Sequence, residues 1–224
     1  MGRTRVPEAV EEPVETLAEL LYRLGDIAPG RVLAKPPPGT ATETDLMESI
    51  RTGPRKLLEL VDGCLVEKAM GSAESILASP LHALLEFHVY ENDLGVVLGE
   101  AGQLRLAPDN VRIADVAYIS WKRLPRPVIL GSIAAISPDL AVEVLSPGNT
   151  RREIDRKIRD YFDHGTRLVW VLQPKSQTAD VYASPTDRKR IPRNGTLDGS
   201  PVLPGFTVPL LRVFTRLEPR TKTA

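Results

Sequence analysis

A single cysteine, Cys64, among 224 residues excludes an intramolecular disulfide and any zinc site built from paired cysteines. The three histidines, His82, His88 and His164, are scattered without metal-ligand spacing, which leaves them structural roles. No apolar run approaches the roughly 20 residues that cross a bilayer. The N-terminus is acidic and lacks the apolar core of a signal peptide, so the expected location is the cytoplasm, with no membrane partner. No nucleophile-elbow pattern, phosphate-binding glycine loop, internal repeat or low-complexity tract occurs.

Net charge is also missing: 29 basic and 29 acidic side chains cancel, so the totals give no sign of a nucleic-acid binder. Their distribution does. Residues 1–50 carry five basic and nine acidic side chains, whereas residues 151–193 carry eleven basic and six acidic. One part of the surface could therefore face phosphates while the whole stays neutral. Hydrophobic content of 42% and charged content of 26% are ordinary for a globular domain, and the length suffices for one domain plus an extension.

Residues 1–54 read as that extension. Val14 to Leu24 has a helical apolar pattern ended by Gly25, prolines at 29, 36, 37 and 38 exclude regular structure, and Thr42 to Asp45 can cap a short helix. Residues 55–216 read as the main domain and 217–224 as a polar tail. Within the domain, Leu57 to Lys68 reads as a hairpin turning at Asp62-Gly63. Met70 to Asn92 is mostly helical, with Pro80 a kink or a first-turn residue. Val111 to Trp121 reads as one strand containing Asp115, and Arg188-Lys189-Arg190 as part of a polar loop. The order of elements predicts an α/β sandwich with a mixed sheet.

The most informative stretch is Pro138 to Pro174. Leu140 to Leu145 is an apolar run suited to a strand buried on both faces, yet Glu143 sits within it. A carboxylate there loses its water, at a cost of several kcal/mol unless a cation, a metal or strong donors compensate. Arg151 to His164 predicts a helix with Ile154, Ile158, Tyr161 and Phe162 on its core face and Gly165 ending it. Lys157 falls on the flank of that stripe, able to send its ammonium inward or out to solvent. Leu168 to Leu172 completes a parallel strand pair. Trp121, Trp170, Tyr161 and Phe162 read as core rather than base-stacking platforms.

Glu143 needs a partner. Asp139 shares its strand face but lies roughly 13 Å away along the strand, at about 3.3 Å per residue. Asp115, on another strand, could lie about 5 Å away if the two strands pair. Two carboxylates with Lys157 beside them form a hard-oxygen site suited to Mg²⁺. The alternatives are a structural ion pair for Glu143, a turn or strand-end role for Asp115 and Asp139, and a solvated surface for Lys157. Arg151, Arg152, Arg156 and Arg159 are a solvated helix face or, beside such a site, phosphate contacts.

The segments VRIADVAYISW, PDLAVEVLSPGNTRREIDRKIRDYFDHG and TRLVWVLQP resemble the Uma2 family of restriction-endonuclease-like proteins, part of the PD-(D/E)XK nuclease superfamily. LLELVDGCLVEK and LDGSPVLPGFTVPL fit the same family, extending the resemblance over about residues 57 to 214. It implies a restriction-endonuclease-like mixed β-sheet flanked by helices. It also implies Mg²⁺-dependent cleavage of nucleic acid, DNA in the first instance, with Mn²⁺ able to substitute. By motif, Asp115 and Glu143 correspond to the two acidic positions, with Ala-Asp in place of Pro-Asp. The lysine expected two residues after Glu143 is Leu145, and Lys157 can fill its role from the following helix. The resemblance further suggests Glu74, on the preceding helix, as a metal-assisting acid. A homodimer would suit cleavage of both strands of a duplex. A chain that kept the fold and lost the chemistry, binding nucleic acid only, is the alternative that Leu145 leaves open.

Overall fold

The computed structural model describes residues 16–53, 56–69, 71–124, 126–128 and 133–215. Strands β1 (Leu58–Val61) and β2 (Cys64–Glu67) form the expected hairpin, with Val61 opposite Cys64. Asp62 and Gly63 both take positive φ, 47° and 65°, the requirement of the two-residue turn that matches strand twist. β1 also pairs with β5 (Asn110–Ile113), and β5 with β4 (Gln103–Ala107), giving a four-stranded antiparallel sheet in the order β2-β1-β5-β4.

A larger, six-stranded mixed sheet carries β10-β9-β8-β7-β6-β3. Its centre is the parallel pair β7 (Leu140–Val144) and β8 (Leu168–Gln173), joined by helix α4 (Arg151–Asp163). β6 (Val116–Ser120) and β3 (Gly95–Leu98) follow antiparallel on one side. β9 (Thr178–Tyr182) and β10 (Arg188–Ile191) follow on the other. Residues 188–190, expected in a loop, are therefore an edge strand. Pairing to β9 brings Arg190 against the buried Asp180 with Nε 2.8 Å from its carboxylate, and this offsets the poor strand propensity of three successive cations.

Helix α3 (Ser72–Glu91) covers one face of the large sheet, packing Leu77, Leu81 and Leu85 against Val142, Val144 and Trp170. Pro80 lies inside this helix. The hairpin of β11 (Thr196–Asp198) and β12 (Thr207–Pro209) and helix α5 (Leu210–Phe214) close the same layer through Leu210, Val213 and Phe214. Helix α4 covers the other face, with Ile154, Ile158 and Tyr161 against Ala141, Val169 and Val171. Thr150 caps α4 by accepting from the Glu153 N–H at 2.9 Å. Each fully buried leucine or isoleucine here contributes roughly 1.5–3 kcal/mol. Trp170 and Tyr161 are wholly buried, as core residues should be.

The single strand expected over residues 111–121 is two strands. β5 belongs to the small sheet and β6 to the large one, with Ala114 and Asp115 at the crossing. The Asp115 N–H still donates to the Val142 carbonyl at 3.0 Å, but its side-chain Oδ2 accepts from the Val144 N–H at 2.6 Å. A carboxylate thus completes the ladder where the backbone turns away.

Residues 16–53 pack as part of the domain. Thr16 and Glu19 form a capping box at α1 (Leu17–Arg23), and Thr42 and Asp45 do so at α2 (Glu43–Thr52). Leu20, Leu24 and Ile27 join Val61, Cys64 and Val66 in one cluster. Leu46 joins Leu58, Leu60, Leu65 and Val111 in another. Arg31 clamps the buried Glu153 of α4 through two bonds, of 2.9 and 2.7 Å.

Candidate active site

Two carboxylates meet where the sheets join. In the antiparallel register of β6 and β7, Ala117 faces Ala141 and Val116 faces Val142, so the next step sets Asp115 opposite Glu143. Both side chains point away from α3 and toward α4, because neighbours on each strand alternate faces. Both are only 3% exposed.

Every oxygen of the pair is already engaged. Asp115 Oδ1 accepts from Lys68 Nζ at 2.7 Å, while its other oxygen holds Val144. Glu143 Oε1 accepts from the Tyr161 hydroxyl at 2.7 Å, and Oε2 accepts from Lys157 Nζ at 3.1 Å. Lys157 lies within the buried face of α4 rather than on its solvent side, and its ammonium points inward. The same ammonium reaches Glu59 Oε1 at 3.0 Å and the Ile113 carbonyl at 3.3 Å. Glu59, on β1, also accepts from the Ile113 N–H at 3.0 Å and from Arg112 at 3.1 Å. Arg112 in turn pairs with Asp160 of α4.

Burial and neighbouring charge set the protonation of these groups. Burial pushes the Glu143 carboxyl above the usual range; Lys157 and Lys68 pull it down, and Asp115 and Glu59 push it up again. Glu59 is equally buried, but Lys157 and Arg112 outweigh that penalty and lower it from 4.5 to about 2. Burial works against the Lys157 ammonium, yet Glu143 and Glu59 hold its pKa above the ordinary lysine value. Burial and the Glu143 carboxylate drive the Tyr161 phenol well above its usual value, so it stays a donor.

Asp115, Glu143 and Lys157 are thus brought together in the structure. Asp139 is not brought with them. It precedes β7 at the opposite end, accepting from the Ser120 N–H at 2.8 Å and pairing with Arg123 at 2.9 Å and Arg167 at 2.8 Å. Glu74 is buried in the first turn of α3, near Gly71. Arg151, Arg152 and Arg156 line a groove beside α1 and pair with Asp155, Asp26 and Asp62 rather than with Asp115 or Glu143. Sequence reasoning missed Glu59, Lys68 and Arg112. The signal was available for Glu59: an acid inside the apolar run LLELV is the same anomaly that singled out Glu143 in LAVEV. Lys68 gave no such signal, since a lysine just after a strand reads as solvated.

A mixed sheet whose central parallel strands are joined by α4, with helices on both faces, is the architecture of a restriction-endonuclease-like fold. The family model of Uma2, described as "Putative restriction endonuclease", matches residues 41–213. The chain belongs to this family. Among solved structures, a "putative nuclease belonging to DUF820" from Anabaena variabilis ATCC 29413 superposes with a TM-score of 0.69 at 19% identity. The match covers 79% of this chain and 99% of that one and establishes the shared fold. No curated protein matches the chain. No helix among the described residues is long and apolar enough to cross a membrane.

The fold family implies a divalent metal, and the site can be tested for it. Facing carboxylates are the oxygen donors that Mg²⁺ prefers. Their charge, however, is already met by cations: Lys68 pairs with Asp115, Lys157 with Glu143 and Glu59, and Arg112 with Glu59 and Asp160. Among the described residues, no three His, Cys, Asp or Glu side chains gather as a ligand set. The pair therefore fits the ion by donor chemistry, and by charge once a lysine withdraws. Lys68 is the one placed to do so. It lies in irregular chain between β2 and α3 with one carboxylate partner, whereas Lys157 is held by two carboxylates and a carbonyl.

Proposed function

We propose that this chain is a divalent-metal-dependent endonuclease that hydrolyses phosphodiester bonds in DNA, acting in the cytoplasm. The observation that carries the reading is the in-register opposition of Asp115 and Glu143 beside two buried lysines. Mg²⁺, or Mn²⁺ in its place, would be held by Asp115 and Glu143 and would lower the pKa of an attacking water while balancing charge on the phosphate.

The chain's own residues have separable tasks. Tyr161 donates to one Glu143 oxygen and Lys157 to the other, which fixes the rotamer of that carboxylate. Val144 fixes Asp115 in the same way. Lys68, once released from Asp115, would offer its ammonium to the phosphate and take the role of the lysine replaced by Leu145. Neither Asp139 nor Glu74 has a part in this reading. A pair of copies related by a two-fold axis would place one site on each strand of a duplex.

Supercoiled plasmid incubated with purified protein and Mg²⁺ or Mn²⁺ tests the proposal. Nicked and linear products should accumulate, and Asp115→Asn or Glu143→Gln should slow their appearance by about 100-fold or more. Equal cutting by all three proteins would assign the activity to a contaminant. The paired charges and Leu145 favour a second reading, a non-cleaving nucleic-acid-binding module. It gives salt-dependent binding and no metal-dependent product in the same assay.

A further inference from the structure

Helix α4 has two working faces. Its inner face carries Lys157 and Tyr161 to Glu143. Its outer face, together with α1, walls an open groove of about 630 Å³. Tyr22 and Arg23 come from α1, and Arg151, Arg152, Arg156 and Arg159 from α4. Asp26 and Asp155 are the acids on its walls, so five arginines face two carboxylates in a chain whose net charge is zero.

Three of the arginines are positioned in advance. Arg152 binds Asp26 at 2.7 Å and stacks its guanidinium 3.6 Å from the centre of the Tyr22 ring. Arg156 binds Asp62 at 2.6 Å and also donates to the Arg23 carbonyl. Arg151 binds Asp155 at 2.9 Å. Arg159 is exposed and has no acidic partner among the described residues. Arginine suits this purpose better than lysine, because its planar fork binds phosphate through two bonds, and the three paired side chains here need not be ordered on binding. Tyr22 is 57% exposed, leaving aromatic surface beside the stacked guanidinium.

We propose that this groove holds the sugar-phosphate backbone of a single strand of nucleic acid, with one base stacked against Tyr22. The choice of nucleic acid over other polyanions rests on the proposed nuclease function. A duplex keeps its bases inward and has none to offer the ring, whereas a single strand presents both phosphates and a free aromatic face. The groove is distinct from the acid pair but linked to it by alternating charges. Arg156 lies 3.9 Å from Asp160, which pairs with Arg112; Arg112 reaches Glu59, Glu59 reaches Lys157, and Lys157 reaches Glu143.

The test is binding without cleavage: fluorescence anisotropy of a labelled single-stranded oligodeoxynucleotide in EDTA, at two salt concentrations, with a duplex of the same sequence alongside. Arg159→Glu and Tyr22→Ala should each weaken single-strand binding about tenfold or more. Arg159→Glu should leave the thermal melt unchanged, and Tyr22→Ala should lower it only by the loss of the half-exposed stack with Arg152. Lys189→Glu, which makes the same charge change on the exposed β10, should leave binding within about twofold. Equal weakening by Lys189→Glu and Arg159→Glu would overturn the proposal, because net charge alone would then be responsible. So would duplex binding as tight as single-strand binding, or polyglutamate competing as well as the oligonucleotide, which would mark a surface for an acidic protein. Groove-dependent binding by a protein that leaves plasmid intact would keep this site and refute the nuclease. Cutting by a protein whose binding ignores Arg159 and Tyr22 would do the reverse.

Discussion

The Lys68 ammonium lies 2.7 Å from Asp115, with both side chains almost sealed from water, and it is the cation paired with that carboxylate. Removing it should leave an uncompensated buried charge, at a cost of about 3 kcal/mol or more. Lys68→Met should therefore melt well below the wild type in EDTA. Because a divalent ion can then take the vacated place, Mg²⁺ or Mn²⁺ should raise the variant's Tm by more than the wild type's. Thermal melts with and without the ion check this, and an equal shift in both proteins would refute the exchange of lysine for metal.

Glu59 makes a pH-dependent contribution whose sign follows from its lowered pKa. Its carboxylate is held at about 2 in the folded chain against an ordinary 4.5, worth about 3 kcal/mol. That stability is fully present above pH 4.5 and is lost as pH falls toward 2. Urea unfolding of the wild type and Glu59→Gln should show a gap that is constant from neutral pH to about 5, narrows below 4.5 and closes near 2. A gap that stays constant through that range would mean that Glu59 is not held ionised by Lys157 and Arg112.

Gly25 takes φ +96°, and a Cβ there would lie 2.6 Å from the Glu153 backbone. Gly25→Ala should destabilise the fold by more than about 1 kcal/mol, since it combines a disfavoured backbone region with a contact that α4 cannot yield. Gly39→Ala has a similar φ of +89° and nothing within 4 Å of the added Cβ. Comparing their denaturation midpoints separates the backbone penalty from the close approach, and equal midpoints would argue against α1 seating firmly on α4.

Arg31→Ala should strand the buried Glu153, whose carboxyl is held below its usual range against burial by Arg31 and Asn149. The expected loss is about 3–5 kcal/mol, with Arg31→Ala less stable than the paired change Arg31→Ala with Glu153→Gln. A double-mutant cycle by chemical denaturation measures the difference, and additivity would dismiss the clamp.

The large sheet was legible because its strands are unusual in composition. Two apolar runs around a capped amphipathic helix leave little choice but a parallel pair, and an acid inside one of them marks a place that needs compensation. The break between β5 and β6 was not legible. VRIADVAYIS is rich in β-prone residues from end to end, as one strand would be, and only the competition of two sheets for its two halves divides it at Asp115. The strand at 188–190 was hidden for a related reason: three cations disfavour a strand until a buried aspartate on the neighbouring strand draws two of them in. Glu59, buried in LLELV and compensated by Lys157 and Arg112, meets the same criterion that singled out Glu143, which was applied to one strand only. Lys68 shows the limit of such rules, because which lysine swings inward depends on contacts far along the chain.

One ammonium, that of Lys157, touches carboxylates belonging to different sheets: Glu59 from the smaller and Glu143 from the larger, each at 3.0 Å. It acts as a rivet between two plates. A relative with no catalysis at all would still lose this tie between the plates along with the lysine. Retention of this lysine is therefore a signature of architecture, and an honest marker of chemistry must be sought among the groups that the architecture could spare.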